Sequence, residues 1–385
     1  MRALFVAYPD SLHTQRWIRQ LPREWDIRLW YSTQRMSAAE RAVAKARSAE
    51  LPGVRFHPSG GRDLEGDGLD LARLISESKP DLVHCLLIPE NGYYAFLARK
   101  HLDRFPPWIV SDWGNDLSLF GSISEIKKRS ESVLGACDFY WSECHRDISL
   151  ARNFGFRGAV FAPVPVAGGF RLDRCWSGRF ESPSKRRWIL VKGYQNERGR
   201  ALVTLRALEL CSDLLGAYRV GVYGALVEPM SAALLAEVRR LRRATGMDIR
   251  LLPQVGHLSQ LRRHGRARVS IGLSLGDGIS TSLLEAMVMG SFPIQSETAC
   301  ASEWIHHRKT GMIVGAENPE ETAAALKLAL TDDSLVNRAG TENRRVAKER
   351  LDFSAIAGRV RACYGLTQAR EHDGKAKDAS SLRLR

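Results

Sequence analysis

The sequence predicts an α/β protein built from two doubly wound, Rossmann-like domains. Three observations carry this. The chain is 385 residues long, enough for two domains of ordinary size with a core each. Over residues 1 to about 160, short apolar runs alternate with amphipathic segments, the rhythm of a parallel sheet wrapped by helices. That rhythm lapses over 166–186, where Pro, Gly and charge dominate, and restarts at Trp188.

In order, residues 3–8 read as the first strand, and the loop 9–14 leads into a helix over 15–21. Residues 26–31 form a second strand. The Lys79-Pro80 break precedes a buried strand at 81–85, followed by a helix over 91–101. A strand at 108–111 ends in the turn Asp112-Trp113-Gly114-Asn115-Asp116, and 137–142 is the last central strand of this half. The expected division is a first domain over 1–165, a linker over 166–186, a second domain over 187–352 and a closing helix over 353–366. In the second domain strands are expected at 188–191, 218–223, 249–252, 269–275 and 292–295, with surface helices at 326–330 and 335–350. Residues 367–385 are polar and basic, the composition of a disordered tail.

Composition narrows the function classes. Hydrophobic residues make up 44% of the chain, a globular value, and no apolar run is long enough to span a bilayer. The first apolar run is short and ends in a turn, unlike a signal peptide. A cytoplasmic protein is therefore expected, or one lying on the inner face of a membrane. Seven cysteines show no Cys-x-x-Cys, and Cys144-His145 and His306-His307 lack ligand spacing with partners, so no metal site is expected. The net charge of +14 favours anionic partners: nucleotides, phospholipid surfaces or nucleic acid. Arginines cluster from Arg239 to Arg268, but no aromatic stacking platform or nucleic-acid motif accompanies them. Each also fits a solvated helix face.

The most informative stretch runs from Val269 to Met287. An apolar strand passes through Gly276-Asp277-Gly278 into a helix with Ser280, Thr281 and Ser282 at its mouth. Free N–H groups and the helix dipole make such a junction an anion site. Asp277 and Glu285 bracket it, placed to take sugar hydroxyls while a diphosphate sits on the loop. Ser282-Leu283-Leu284-Glu285 equally fits a capping box, in which Glu285 only bonds the helix start. In open parallel sheets ligands bind beyond the carboxyl ends of strands. This rule also selects the loop of His13, the segment after His84 and the turn of Trp113 and Asp116. His13 could instead bond backbone at a helix entry, His84 could be a satisfied core histidine, and Asp116 could cap a helix.

The pattern Asp277-x7-Glu285-Ala286-Met287-Val288-Met289-Gly290-Ser291-Phe292-Pro293 resembles the donor half of the family 4 glycosyltransferases of the GT-B fold. So do Glu303-Trp304-Ile305, Lys309-Thr310-Gly311-Met312-Ile313-Val314 and Asn318-Pro319-Glu320. Those enzymes carry two carboxylates spaced E-x7-E, then E-A-M-A-x-G-x-P and a later dG-x-x-G-x-L-V strand. The resemblance implies two Rossmann-like domains facing a central cleft and a retaining, metal-independent transfer from a nucleotide-diphosphate sugar, with no cofactor. Asp277 would contact the transferred sugar and Glu285 the ribose, while Gly278, Ile279, Ser280, Thr281 and Ser282 would face the diphosphate. The family's G-R-x-x-x-K-G segment falls on Gly193 to Gly199: Arg198 stands for the lysine, Tyr194 replaces the arginine, and Lys192 would supply the second cation. Two cations are what a departing diphosphate needs without a metal.

In the first half, Asp112 to Asp116 resembles the family's H-G-x-D turn with Trp113 in place of histidine, and Ser11-Leu12-His13-Thr14 stands where a glycine pair is usual. The catalytic candidates are thus Lys192, Arg198 and Asp277. The donor candidates are Gly193, Gly278, Ile279, Ser280, Thr281, Ser282 and Glu285, and the acceptor-side candidates are His13, Trp113 and Asp116. The acceptor implied is a saccharide or lipid-linked saccharide, in bacterial surface polysaccharide biosynthesis. An inactive GT-B module that binds sugars or partners, and a basic nucleic-acid-binding protein, are the alternatives.

Overall fold

The computed structural model describes residues 1–34, 36–61, 63–178, 181–224 and 231–373. The chain forms two compact units, Met1–Gly169 with the last helix from Ile356, and Phe170–Ala355.

The first unit holds a seven-stranded sheet of β1 (Arg2–Val6), β2 (Asp26–Tyr31), β3 (Val54–Pro58), β4 (Leu82–Leu86), β5 (Trp108–Ser111), β6 (Phe139–Trp141) and β7 (Ala159–Val160). All neighbours pair in parallel, in the order β3-β2-β1-β4-β5-β6-β7. Ala3, Leu4, Phe5, Val6 and the whole of β4 are buried, as strands covered on both faces must be. The helix Leu12–Ile18 starts earlier than the apolar spacing predicts, because the Ser11 hydroxyl accepts the His13 N–H at 3.2 Å and caps it there.

The last helix runs Phe353–Asp373, beyond the expected end at 366; the rest of the expected tail, 374–385, lies outside the described residues. Its Tyr364 hydroxyl accepts from Trp17 Nε1 at 2.8 Å and meets His84 Nδ1 at 2.6 Å, while His84 Nε2 meets Ser111 Oγ at 2.7 Å. His84 is thus a satisfied core histidine.

The second unit holds a six-stranded parallel sheet of β8 (Trp188–Lys192), β11 (Arg219–Tyr223), β12 (Asp248–Leu252), β13 (Ala267–Gly272), β14 (Phe292–Ser296) and β15 (Met312–Val314). A small hairpin, β9 (Gln195–Asn196) and β10 (Gly199–Arg200), follows β8. The order β12-β11-β8-β13-β14-β15 is again doubly wound.

The stretch expected as a linker is tied to this unit from Phe170 on: the Phe170 N–H donates to the Leu351 carbonyl at 2.7 Å and Trp176 Nε1 to Val288 at 2.9 Å. Two fully buried arginines replace water at helix ends. Arg186 donates to the carbonyls of Ala267 and Met289, both at 3.2 Å, and Arg268 to Ala329 at 2.8 Å and Leu330 at 3.1 Å. The expected short helix at 326–330 is the end of Pro319–Thr331, which Asn318 opens by accepting the Glu321 N–H at 2.9 Å. Among the described residues no helix is long and apolar enough to cross a membrane.

Candidate functional site

Ligands of doubly wound sheets bind where the strand order reverses, beyond the carboxyl ends. In the second unit that point lies between β8 and β13. β8 ends at Lys192, and β13 ends at Gly272 before the loop 273–280. A Cβ on Gly272 would meet Gln295 Nε2 and Ser282 Oγ at 2.9 Å each, so glycine lets the following helix sit this close to the strand.

That helix, Thr281–Met289, opens after an extended N-cap, Ser280, whose side chain caps none of its N–H groups. The Ser280 hydroxyl instead bonds that of Ser282 at 2.9 Å. An uncapped helix mouth behind a small-residue loop is what an anion site requires. Gly290, at φ 69°, closes the helix in the left-handed conformation. The Gly278 carbonyl accepts the Cys300 N–H at 2.9 Å, which fixes the loop's far side.

Glu285 is 6% exposed and does not cap the helix, so the capping-box alternative is excluded. Its Oε1 accepts from His257 Nε2 at 3.0 Å, and its Oε2 faces His264 Nε2 at 3.3 Å. Burial pushes this carboxyl up, but the bonds from His257 and His264 outweigh it and hold it at about 2. Both histidines sit on one face of the helix His257–Arg266, seven residues apart. Tyr223, at the end of β11, lies edge-on to His264 with 5.9 Å between ring centroids. Burial, then the charge of Glu285, pushes its phenol well up.

Lys192 Nζ stands 4.0 Å from Asp277 Oδ2 and 5.5 Å from the centre of the Tyr194 ring. Burial lowers the ammonium pKa, and Arg198 adds to this, while Asp277 and Glu285 oppose it; the net direction is down. The Gly193 N–H donates to the Tyr223 carbonyl at 2.7 Å and sets the turn after β8. Arg198 lies in the turn of the hairpin, where its N–H donates to Asn196 Oδ1 at 2.9 Å and its Nε faces Glu197 at 3.4 Å. The hairpin is pinned to the loop after β13, since Leu275 N–H donates to Glu197 O at 2.8 Å and Arg200 N–H to Leu273 O at 3.0 Å. The structure therefore gathers Lys192, Gly193, Asp277, Ser280, Ser282 and Glu285 at one strand end. Arg198 is 59% exposed at its edge. The sequence reading missed His257, His264 and Tyr223; the seven-residue histidine spacing was its one signal.

In the first unit His13 and Trp113 come together, with 5.7 Å between ring centroids. His13 Nδ1 and Trp113 Nε1 are buried without a hydrogen-bond partner among the described residues. Burial, then Arg16, lowers His13 to about 4. Asp116 is 2% exposed, and its Oδ2 accepts the Ile88 N–H at 2.8 Å. It thereby anchors the turn Ile88–Gly92 behind Leu87, whose φ is 90°. Burial foremost, offset by the Ile88 and Trp113 amides and reinforced by Asp147 and Glu90, raises Asp116 to about 7.

Two family models match the chain. Residues 2–133 match Glycosyl transferase 4-like, and residues 200–332 match Glycosyl transferases group 1. A search of curated proteins gives no match. Among solved structures, sucrose-phosphate synthase from Thermosynechococcus elongatus aligns at TM-score 0.75 and 13% identity, over 96% of this chain and 99% of that one. Anabaena HepE in complex with UDP aligns at 0.73 and 12%, over 95% and 100%. An E. coli trehalose-6-phosphate structure bound with UDP-2-fluoro glucose aligns at 0.69 and 12%, over 96% and 99%. At such identities these likenesses show the fold, two Rossmann-like domains of the GT-B type.

Proposed function

Because the chain belongs to the GT4-type glycosyltransferases, we propose that it moves a hexose from a nucleoside-diphosphate donor, UDP-linked as in the HepE and E. coli neighbours, to a saccharide or lipid-linked saccharide hydroxyl. The observation that carries this reading is the pairing of Lys192 with Asp277 at 4.0 Å beside an uncapped helix mouth, with ionised Glu285 on the same helix. The loop 278–282 receives the diphosphate, Asp277 the sugar hydroxyls and Glu285 the ribose. The bond from the anomeric carbon to the diphosphate oxygen breaks, a bond to the acceptor oxygen forms, and the acceptor proton leaves with the diphosphate. Lys192 and Arg198 offset the charge that develops there, without a metal.

Retention at the anomeric carbon and a role in bacterial surface polysaccharide synthesis follow from the family resemblance. The acceptor is assigned to the first unit, through His13 and Trp113, with Asp116 anchoring the turn Ile88–Gly92. A panel of nucleoside diphosphates in a thermal-shift assay tests the donor. A ligand at 100 times its Kd stabilises by about 2.7 kcal/mol. UDP should shift the melting point, and no response to any diphosphate would remove the donor reading. Product formed from UDP-hexose distinguishes an enzyme from an inactive sugar-binding module.

A second reading concerns location: a cytoplasmic protein docked on an anionic membrane face. Along the helix Ser231–Thr245, Arg240 pairs with Glu209 and Glu237, whereas Arg239 and Arg243 are exposed beside an open hollow of about 570 Å³. Each such charge is worth about 1 kcal/mol near an anionic surface. Co-sedimentation with phosphatidylglycerol vesicles, but not with neutral ones, is expected at low salt; equal partitioning would remove the idea.

A further inference from the structure

We infer that His264 is the positioning residue of the donor site: it orients the Glu285 carboxylate and so sets selectivity for a ribose diol over a 2′-deoxyribose. This rests on the reading of Glu285 as the ribose ligand and goes beyond it by naming what fixes that side chain.

Each carboxylate oxygen of Glu285 has its own histidine, His257 on Oε1 at 3.0 Å and His264 on Oε2 at 3.3 Å. An ionised carboxylate only accepts hydrogen bonds, so each Nε2 facing it carries the proton. Two anchored oxygens fix the plane of the group and leave each with further lone-pair capacity. That presents two acceptors at a constant spacing, the pattern two vicinal hydroxyls recognise.

The two histidines are not equivalent. His257 is 39% exposed, so water can replace its bond. His264 is 1% exposed, and its other nitrogen, Nδ1, lies 2.9 Å from Ser270 Oγ, itself 2.8 Å from Ser291 Oγ. With Nε2 committed to Glu285, a neutral His264 accepts the Ser270 proton, and Ser270 accepts that of Ser291. The relay holds the ring's orientation, and the Tyr223 ring lies edge-on to the imidazole. Gln260 Nε2 also approaches His264 Nε2, at 3.5 Å against 3.3 Å for the Glu285 oxygen.

The test is calorimetric binding of UDP and 2′-deoxy-UDP to the full chain. Wild type should prefer UDP by more than about tenfold, the scale of a hydrogen bond to a charged group. His264→Phe fills the space without a donor, and should weaken UDP about tenfold while hardly changing 2′-deoxy-UDP, so that the preference collapses. His264→Gln returns an N–H and should recover most of it. A Phe variant that keeps the preference, or a Gln variant that loses as much as Phe, overturns the inference. Should the Phe variant not fold by circular dichroism, Ser270→Ala replaces it: it frees the ring's orientation, and an unchanged preference there counts equally against His264. Glu285→Gln separates the two levels. If it leaves UDP affinity and preference intact, the ribose reading itself fails. If it abolishes the preference while His264→Phe does not, only the inference on His264 falls.

Discussion

Each unit buries histidine and carboxylate side chains near its strand ends, and the two units charge them oppositely. In the first, His84 is fully buried between the hydroxyls of Ser111 and Tyr364, and burial drives its pKa down to about 3. Asp112, Asp116, Glu143 and Asp147 are also buried in this unit. Burial, then Asp147, Asp116 and Glu143, pushes Asp112 well up, and Asp116 rises to about 7. In the second unit the imidazoles reach the acid itself, and Glu285 falls to about 2 although it is as buried. Desolvation acts against charge in all of these places. What decides the outcome is whether the donors facing the carboxylate outweigh its burial: the Ile88 and Trp113 amides do not at Asp116, and the two imidazoles do at Glu285. The second unit thus keeps a negative charge beside Lys192, suited to gripping a polar donor, while in the first Asp112 and Asp116 hold their protons to higher pH than free aspartates.

The largest expected effect follows from that contrast. If the charge kept in the second unit serves the reaction, Lys192→Ala should lower turnover ~10²–10³-fold with a UDP-sugar, as loss of a preorganised electrostatic donor does. Initial rates at saturating donor measure it. Turnover near wild type would take Lys192 out of the catalytic set and leave the charge contrast without a functional meaning.

Asp277 and Glu285 could be placed together from the sequence because their strand, loop and helix are contiguous, although the spacing alone left a capping box open for Glu285. His257 and His264 could not be assigned that way: they act on Glu285 only once the helix His257–Arg266 packs beside Thr281–Met289, and no local pattern encodes that pairing. Asp116 shows the same limit. Its sequence position fits a cap or a ligand, while its actual partner, the Ile88 amide, belongs to a distant segment. At the level of the fold, the interior strands β1, β4, β5, β8 and β13 read clearly because both faces are buried. β3 did not, because its side chains are only partly buried and their pattern does not alternate cleanly. The helix Leu64–Ser78 was obscured by Gly66 and Gly68, and is secured by Asp63, which accepts the Gly66 N–H at 2.7 Å.

The smaller effect is one of pH, and its sign separates the units. Asp116 has a folded pKa raised to about 7, far above that of an unfolded aspartate. Below about pH 3 both states are protonated and this group adds no slope. As pH climbs toward 7 the folded state keeps a proton that the unfolded state has lost, so stability falls by up to about 1.4 kcal/mol per pH unit. Asp112, also raised, acts in the same direction. Glu285 behaves oppositely: its depressed pKa contributes stability that is complete above the ordinary glutamate range and is lost only as pH falls toward about 2. Between pH 5 and 7 these groups therefore put the slope on the first unit. Asp116→Asn keeps a carbonyl oxygen for the Ile88 N–H and has nothing to titrate, so it should flatten the decline. Urea midpoints at pH 5, 6 and 7, with hydrogen exchange of the Ile88 amide corrected for its intrinsic rate, measure this. A variant whose slope matches wild type would mean that Asp116 is already ionised in the folded chain, and the first unit would then hold buried charge just as the second does.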